Sequence, residues 1–195
     1  MNIQLATDDQ VSQIMLLISG VIQQMESQGI FQWDESYPNQ EAIEKGLSEG
    51  TLYTATVDDM ICGIIALNEH QEQEYQQVDW EFYGDNVLVV HRLAVNRDWH
   101  GKGVGSELMD FAEQFAREHR YDAIRLDAFT RNPAAVALYK SRGYRLAGLV
   151  TFRKGPFYCF EKDLLVASVD LLIPVQNSIL DTKRTPEGVT LPAKS

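Results

Sequence analysis

The run Arg92-Leu93-Ala94-Val95-Asn96-Arg97-Asp98-Trp99-His100-Gly101-Lys102-Gly103-Val104-Gly105-Ser106 decides the fold of this chain. It reads as an apolar strand, a short polar turn, and a glycine-rich loop that opens directly into a helix. Glycines let a backbone approach a bulky anion with no Cβ in the way. The first turn of a helix offers unpaired N–H groups and the positive end of a dipole. A phosphate is the natural occupant. The spacing excludes two familiar versions of such a loop. A Walker loop places four residues between its first Gly and Gly-Lys-Ser/Thr, whereas Lys102 stands between glycines. The dinucleotide fingerprint needs two residues before its last glycine, and glycines at 101, 103 and 105 leave one.

Outward from the loop, Val104, Leu108, Phe111, Ala112 and Phe115 share one face at helical spacing. Glu107, Asp110, Glu113, Gln114 and Arg117 fall elsewhere. Ile124, Leu126 and Ala128 then alternate with Arg125, Asp127 and Phe129, a strand pattern. Asn132-Pro133 is an N-cap followed by a first-turn proline. It starts a short helix with Ala135, Leu138 and Tyr139 inward, and Gly143 closes it as a left-handed cap. Two strands follow, around residues 144–152 and 157–161.

The segments Leu93-Ala94-Val95, Gly101-Lys102-Gly103-Val104-Gly105, Asn132-Pro133-Ala134-Ala135 and Leu138-Tyr139 up to Gly143-Tyr144 resemble the GNAT superfamily of acetyl-CoA-dependent N-acetyltransferases. The resemblance covers roughly residues 87–162. It implies an α/β (α+β) fold with a mixed, mostly antiparallel central sheet and helices on both faces. It also implies acetyl-CoA as co-substrate, contacted by Leu93, Ala94, Val95, His100, Gly101, Lys102, Gly103, Val104, Gly105, Ser106, Asn132, Ala135 and Tyr139. The family pattern usually has Arg or Gln where this chain has His100. Main-chain N–H groups carry most of the pyrophosphate contact, so that departure tunes affinity and does not abolish it.

The front of the chain fits the same order. Ile3 and Leu5 open with a strand, and 7–10 offers a capping box. Val11, Ile14, Met15, Ile18, Ile22 and Met25 form a helical stripe ending before Gly29. Asn39 caps a second short helix that stops at Gly50. Residues 52–57 and 60–67 make a hairpin around Asp58-Asp59, and residues 69–85 form a polar connection with no clear period. We expect one domain over 1–165 and an extension over 166–195, apolar to about residue 175 and then a mobile tail. The apolar piece either covers a sheet edge or docks on a second subunit as a homodimer.

Composition narrows the class further. A length of 195 residues with 45% hydrophobic content suits one globular domain. No apolar run approaches the ~20 residues of a membrane span, and no signal segment opens the chain. A cytoplasmic protein without membrane partners is expected. Cys62 and Cys159 are too few for a disulfide framework and read as reduced core thiols. His70, His91, His100 and His119 show no metal-ligand spacing, so no metal is expected.

Charge is unevenly spread. Residues 1–90 hold sixteen acidic side chains against one basic, Lys45, a net −15, while residues 91–195 hold twelve against sixteen, a net +4, together −11. In the resembled fold the back half holds coenzyme A and the front half builds much of the acceptor pocket. The asymmetry therefore steers a polyanion to one side and a cationic amine to the other. A merely solubilising acidic surface is the alternative. Nucleic acid is disfavoured, because the front half lacks a basic patch.

The implied reaction moves an acetyl group from a thioester to the primary amine of a small cationic molecule. With an alkylamine pKa near ~10, only about one molecule in a thousand is neutral at pH 7, so a general base or a water chain is needed. A tetrahedral oxyanion then needs preorganised donors, for which a main-chain N–H of 92–95 is suited. Tyr139 is the candidate acid for the departing thiolate; a core aromatic is its other reading. His91 and Glu81 are candidate bases, with Asp85 behind them, against structural or solvent-facing readings of the same residues. Phe31-Gln32-Trp33-Asp34-Glu35-Ser36-Tyr37-Pro38 is the candidate acceptor segment. Within it Gln32, Trp33, Asp34 and Tyr37 combine aromatic faces with a carboxylate suited to a cation. A loop that packs over the helices is its plainer role. Two other functions remain open: a protein N-terminal or lysine acetyltransferase, and a non-catalytic acyl-CoA-binding sensor.

Overall fold

The computed structural model describes residues 1–165 apart from Tyr83 and Asp85. The expected extension over 166–195 and the candidate base Asp85 lie outside the described residues. The elements in chain order are β1 (Asn2–Leu5), α1 (Val11–Ser27), α2 (Gln40–Ser48), β2 (Leu52–Val57), β3 (Met60–Asn68), β4 (Val87–Val95), α3 (Val104–Glu118), β5 (Ala123–Phe129), α4 (Pro133–Ser141), β6 (Arg145–Phe152) and β7 (Gly155–Asp163). The strands form one sheet in the order β1-β2-β3-β4-β5-β7-β6. Among the described strands every neighbouring pair is antiparallel except β4 with β5.

Local signals set the helix ends. Thr7 N donates to Gln10 Oε1 at 3.1 Å, and a short helical turn over Asp8–Gln10 leads into α1. Asn39 Oδ1 accepts from Ala42 N at 3.0 Å and starts α2. Asn132 Oδ1 accepts from Ala135 N at 3.2 Å, with Pro133 in the first turn of α4, and Gly143 beyond that helix has φ +79°.

Two layers of helix cover the sheet. Ile14, Leu17 and Ile18 of α1 and Ile43 of α2 pack with Leu52, Ile64, Ala66 and Ala94 on one face. Val104, Leu108 and Ala112 of α3 and Tyr139 of α4 pack with Cys62, Ile65, Leu88, Val90 and Leu126 on the other. Both cysteines are buried free thiols.

One expectation changes, and one burial carries no signal in the sequence. The connection over 69–86 does more than bridge two strands. It makes a turn at Gln73–Gln77 and buries Tyr75, Val78 and Trp80 against Val89, Phe129, Phe157 and Cys159. Arg125, 7% exposed, clamps it by donating to Gln71 Oε1 and Phe82 O and by stacking 4.3 Å from the Trp80 ring. Glu113 does not sit on a solvated face of α3. It is 5% exposed and accepts from Arg142 Nε (3.0 Å) and Lys162 Nζ (2.7 Å), tying α3 to the end of α4 and to β7. A buried carboxylate is tolerable only with such partners, and these come from distant sequence.

The sheet also breaks its own alternation. In β4, His91 pairs with Ala66 and Ala94 with Ile64, so Arg92 and Leu93 together face Ile65. This is a β-bulge, and Arg92 has φ +51°. Leu88 and Val90 point at α3 before it, whereas Ala94 points at α1 and α2 after it. One inserted residue inverts every later side chain.

Candidate active site

Strands β4 and β5 pair from Val87 with Ala123 to Val90 with Leu126 and then separate. Beyond the pairing, residues 91–95 and 127–128 form the walls of an opening. A cleft of about 840 Å³ runs through it, past the glycine loop and α4 on one side and the α1–α2 connection on the other.

The loop is shaped as the sequence requires. Asn96 Oδ1 accepts from Asp98 N at 3.1 Å, holding the turn after β4. Gly101 and Gly103 have φ of +72° and +86°, and a Cβ at either would meet no atom within 4 Å. The backbone therefore lies bare to the cleft in a conformation that side-chain-bearing residues resist. Glu107 N bonds to Gly103 O at 3.0 Å, the first such bond of α3, so the N–H groups of 103–106 have no partner within the helix. A Cβ on Gly63 of β3 would stand 2.9 Å from Leu108 and 3.0 Å from Val104, which is how closely α3 is seated on the sheet.

Most of the expected cofactor residues line this cleft: Leu93, Ala94, Val95, His100, Gly101, Gly103, Val104, Gly105, Ser106, Asn132, Ala135 and Tyr139. Lys102 is not among the lining residues; its ammonium lies 4.8 Å over the Trp99 ring. His100 Nε2 bonds to Val95 O at 3.0 Å and Nδ1 to Gln24 Nε2 at 3.1 Å. A carbonyl only accepts and an amide N–H only donates, so these partners assign the proton to Nε2. Asn132 has a second role besides its cap: its Nδ2 donates to Gln32 Oε1 at 3.1 Å, joining α4 to the α1–α2 connection.

The acceptor segment divides. Gln32, Trp33 and Tyr37 face the cleft, Trp33 as a core residue 8% exposed. Asp34 is not available to a cation. Arg153 donates to both of its oxygens at 2.9 Å, Lys154 pairs with it, and Ser36 donates from N and Oγ. These partners, Arg153 first, hold its carboxyl well below the usual range.

The candidate bases also divide. Glu81 is drawn away from the cleft. Its N–H donates to the buried Glu161 and its carboxylate pairs with Arg145 Nε at 2.9 Å. His91 does face the cleft, and its Nε2 lies 3.1 Å from both Asn68 Oδ1 and His70 O. Burial, helped by the neighbouring Arg92 charge, pushes its pKa down to about 4, so the ring is neutral and weakly basic at pH 7.

One titratable residue at the opening carries no motif. Asp127 of β5 lines the cleft and accepts from Tyr75 Oη at 2.8 Å through Oδ2. Burial pushes its pKa up to about 6, although the Tyr75 hydrogen bond opposes the rise. Tyr139 lies among Tyr144 and Phe160 and borders the same opening. Burial, with the Asp127 charge adding to it, raises its phenol well above the ordinary value. It is a hydrogen donor throughout the neutral range.

Comparison with known proteins names the family to which this chain belongs. The family model described as Acetyltransferase (GNAT) family matches residues 17–144, and the chain belongs to that family. N-acetylaspartate synthetase of Rattus norvegicus is 30% identical over 96 residues, 49% of this chain and 28% of that protein. The chain thus spans less than a third of the first curated relatives it matches. A GNAT-family acetyltransferase from Streptococcus agalactiae 2603 superposes with a TM-score of 0.73 at 23% identity, covering 83% of this chain and 94% of that one. The PaiA N-acetyltransferase of Thermoplasma acidophilum, solved in complex with coenzyme A, gives 0.65 at 15% identity, covering 83% and 98%. These two structures share the fold: a mixed, mostly antiparallel sheet between helices.

Proposed function

We propose that this protein transfers the acetyl group of acetyl-CoA to the primary amine of a small molecule, by direct attack while both are bound. The observation that carries this reading is the parting of β4 from β5 beside the 101–106 loop, with Asp127 and Tyr139 on its walls. The loop fits a pyrophosphate. It offers unpartnered first-turn N–H groups and glycine positions at 101 and 103 with open space where a Cβ would project. Acetyl-CoA supplies the activated acetyl group and a thiolate leaving group.

The chain's own residues supply the rest. Asp127 accepts the ammonium proton, because its pKa of about 6 leaves it ionised at pH 7.5 yet close enough to that pH to act as a base. His91, with a pKa of about 4, is the weaker acceptor, and Glu81 is engaged with Arg145 outside the cleft. The β4 bulge releases main-chain groups of Arg92 and Leu93 from the regular ladder, and an N–H there donates to the developing oxyanion. Tyr139 returns a proton to the departing thiolate.

The test is thiol release from acetyl-CoA across a panel of primary amines, with cofactor affinity measured separately by calorimetry. Release with at least one amine is expected. Tyr139→Phe should depress kcat more than cofactor affinity, and unchanged kcat would remove Tyr139 from its role. Tight cofactor binding with no release for any amine would favour a non-catalytic sensor instead.

A further inference from the structure

Among the described residues, Arg92 is the one arginine at least half-buried that lines the cleft. Arg125, Arg142 and Arg145 are each held by named partners: Gln71 and Phe82 O, Glu113 and Asp110, and Glu81 and Glu161 respectively. Arg92 has no carboxylate within 4 Å among the described residues; its guanidinium acts as a hydrogen-bond donor toward the Tyr37 hydroxyl, and its Nε is buried with no hydrogen-bond partner. A half-buried guanidinium with no carboxylate beside it carries an uncompensated charge at the wall of the cleft.

The bulge determines where that group goes. Regular alternation from Val90 would send the Arg92 side chain into the apolar α3 face. The φ of +51° and the shared register with Leu93 bring it to the α2 side, where Nη2 lies 3.9 Å from the position a Cβ on Gly46 would take. Arg92 also lines the cleft. Burial raises the Tyr37 phenol, Arg92 opposes that rise, and Glu72 and Asp127 add to it, so these four groups share one electrostatic neighbourhood. A cation and two carboxylates around one opening suit a ligand carrying both charges.

We propose that Arg92, beside Tyr37, is an anion subsite of the acceptor cleft, and that the amine acetylated by this protein also bears a carboxylate. The class is that of amino acids and related amino-carboxylates. Their ammonium faces Asp127 and their carboxylate meets the guanidinium of Arg92 where it lines the cleft, in a charge-assisted contact. This assignment rests on the acetyl-transfer reading. It also runs against a purely cationic acceptor, because Asp34, the carboxylate that the sequence offered for one, is occupied by Arg153 and Lys154.

The experiment uses acceptors matched in side chain but differing in the second group: α-amino acids, their carboxamides and the corresponding alkylamines. With wild-type protein, the carboxylate form should exceed the carboxamide in kcat/KM by about tenfold or more, the size expected for one charged contact in a partly dry site. Arg92→Gln should erase that preference, mainly through KM, and Arg92→Lys should restore part of it, while coenzyme A affinity stays near wild type as the check on folding. Equal use of carboxylate and carboxamide by the wild type, or a preference that survives Arg92→Gln, overturns the subsite. If Arg92→Gln fails to fold, the wild-type ratio decides alone. If no amine is acetylated, the transfer reading falls, and the subsite is judged by calorimetry of coenzyme A-loaded protein with N-acetyl amino acids and N-acetyl amino amides. Binding of the acids only, lost in Arg92→Gln, supports it; equal or absent binding of the acids overturns it.

Discussion

Tyr75 donates its hydroxyl hydrogen to Asp127 Oδ2 across 2.8 Å, linking a turn in the connection before β4 to the strand that walls the cleft. The bond stabilises the ionised carboxylate, while burial favours the neutral acid.

Asp127 should therefore set the acid limb of the pH profile. In kcat that limb is expected near pH 6, and Asp127→Asn should lower kcat by roughly 10²–10⁴-fold and remove it. Tyr75→Phe removes an interaction that lowers this pKa, so the limb should move to higher pH. A limb that stays fixed in Tyr75→Phe and persists in Asp127→Asn would take the base role from Asp127.

The same residue makes a stability prediction of defined sign. Its pKa rises from 3.8 to about 6 on folding, so its favourable contribution is complete below 3.8 and is lost as pH rises through about 6. Asp127→Asn should raise Tm relative to wild type at pH 7.5, and that gain should shrink toward pH 4. Thermal melts at the two pH values check this directly.

His91 gives the opposite sign. Its pKa falls from 6.5 to about 4 on folding, so its contribution is present above 6.5 and is lost as pH drops through about 4. The Tm advantage of wild type over His91→Gln should decline between pH 6.5 and 4. The acid limb of kcat should remain in that variant; its disappearance would return the base role to His91.

Gly103→Val places a branched side chain at φ +86° in the open space of the loop. Coenzyme A affinity measured by calorimetry should fall at least tenfold, because both the backbone conformation and the phosphate approach are compromised. Retained affinity would remove the loop from its assigned role.

Two glycine-to-alanine changes should move stability in opposite directions. At Gly63 the new Cβ meets Leu108 at 2.9 Å and the Ala94 carbonyl at 3.1 Å, an overpacking that costs about 1–3 kcal/mol. At Gly20, within α1, nothing lies within 4 Å, and the helical preference of alanine should add roughly 0.5–1 kcal/mol. Denaturant titrations of both proteins provide the comparison.

How much of this was legible in the sequence follows from the range over which each feature is encoded. The 101–106 loop, the Asn132-Pro133 cap and the Gly143 stop are set by residues within a few positions of each other, so their residue types are sufficient. Asp127 was not legible as a site residue. It sits in an alternating strand where charged Arg125 and Asp127 two positions apart resemble a wetted face, and what buries it, Tyr75 and its turn, comes from 52 positions away. Glu113 and Glu161 are alike in this, being satisfied by Arg142, Lys162, Arg145 and the 81–82 backbone. The bulge was hidden for another reason. Arginine at positive φ carries no local signature, and only the register with β3 reveals it. Asp34 misled because its residue type suited a cation and its distant partners were invisible.

The short parallel seam has one last consequence. Among the described residues four ladder pairs, Val87 with Ala123 through Val90 with Leu126, stitch the half-sheet β1–β4 to the half-sheet β5-β7-β6. A nucleotide lodged between the first turn of α3 and the start of α4 would act as a splint across that seam, bracing one half against the other. Such a ligand should protect the amides of 87–90 and 123–126 from hydrogen exchange more than those of the outer ladders, and should raise Tm with its concentration.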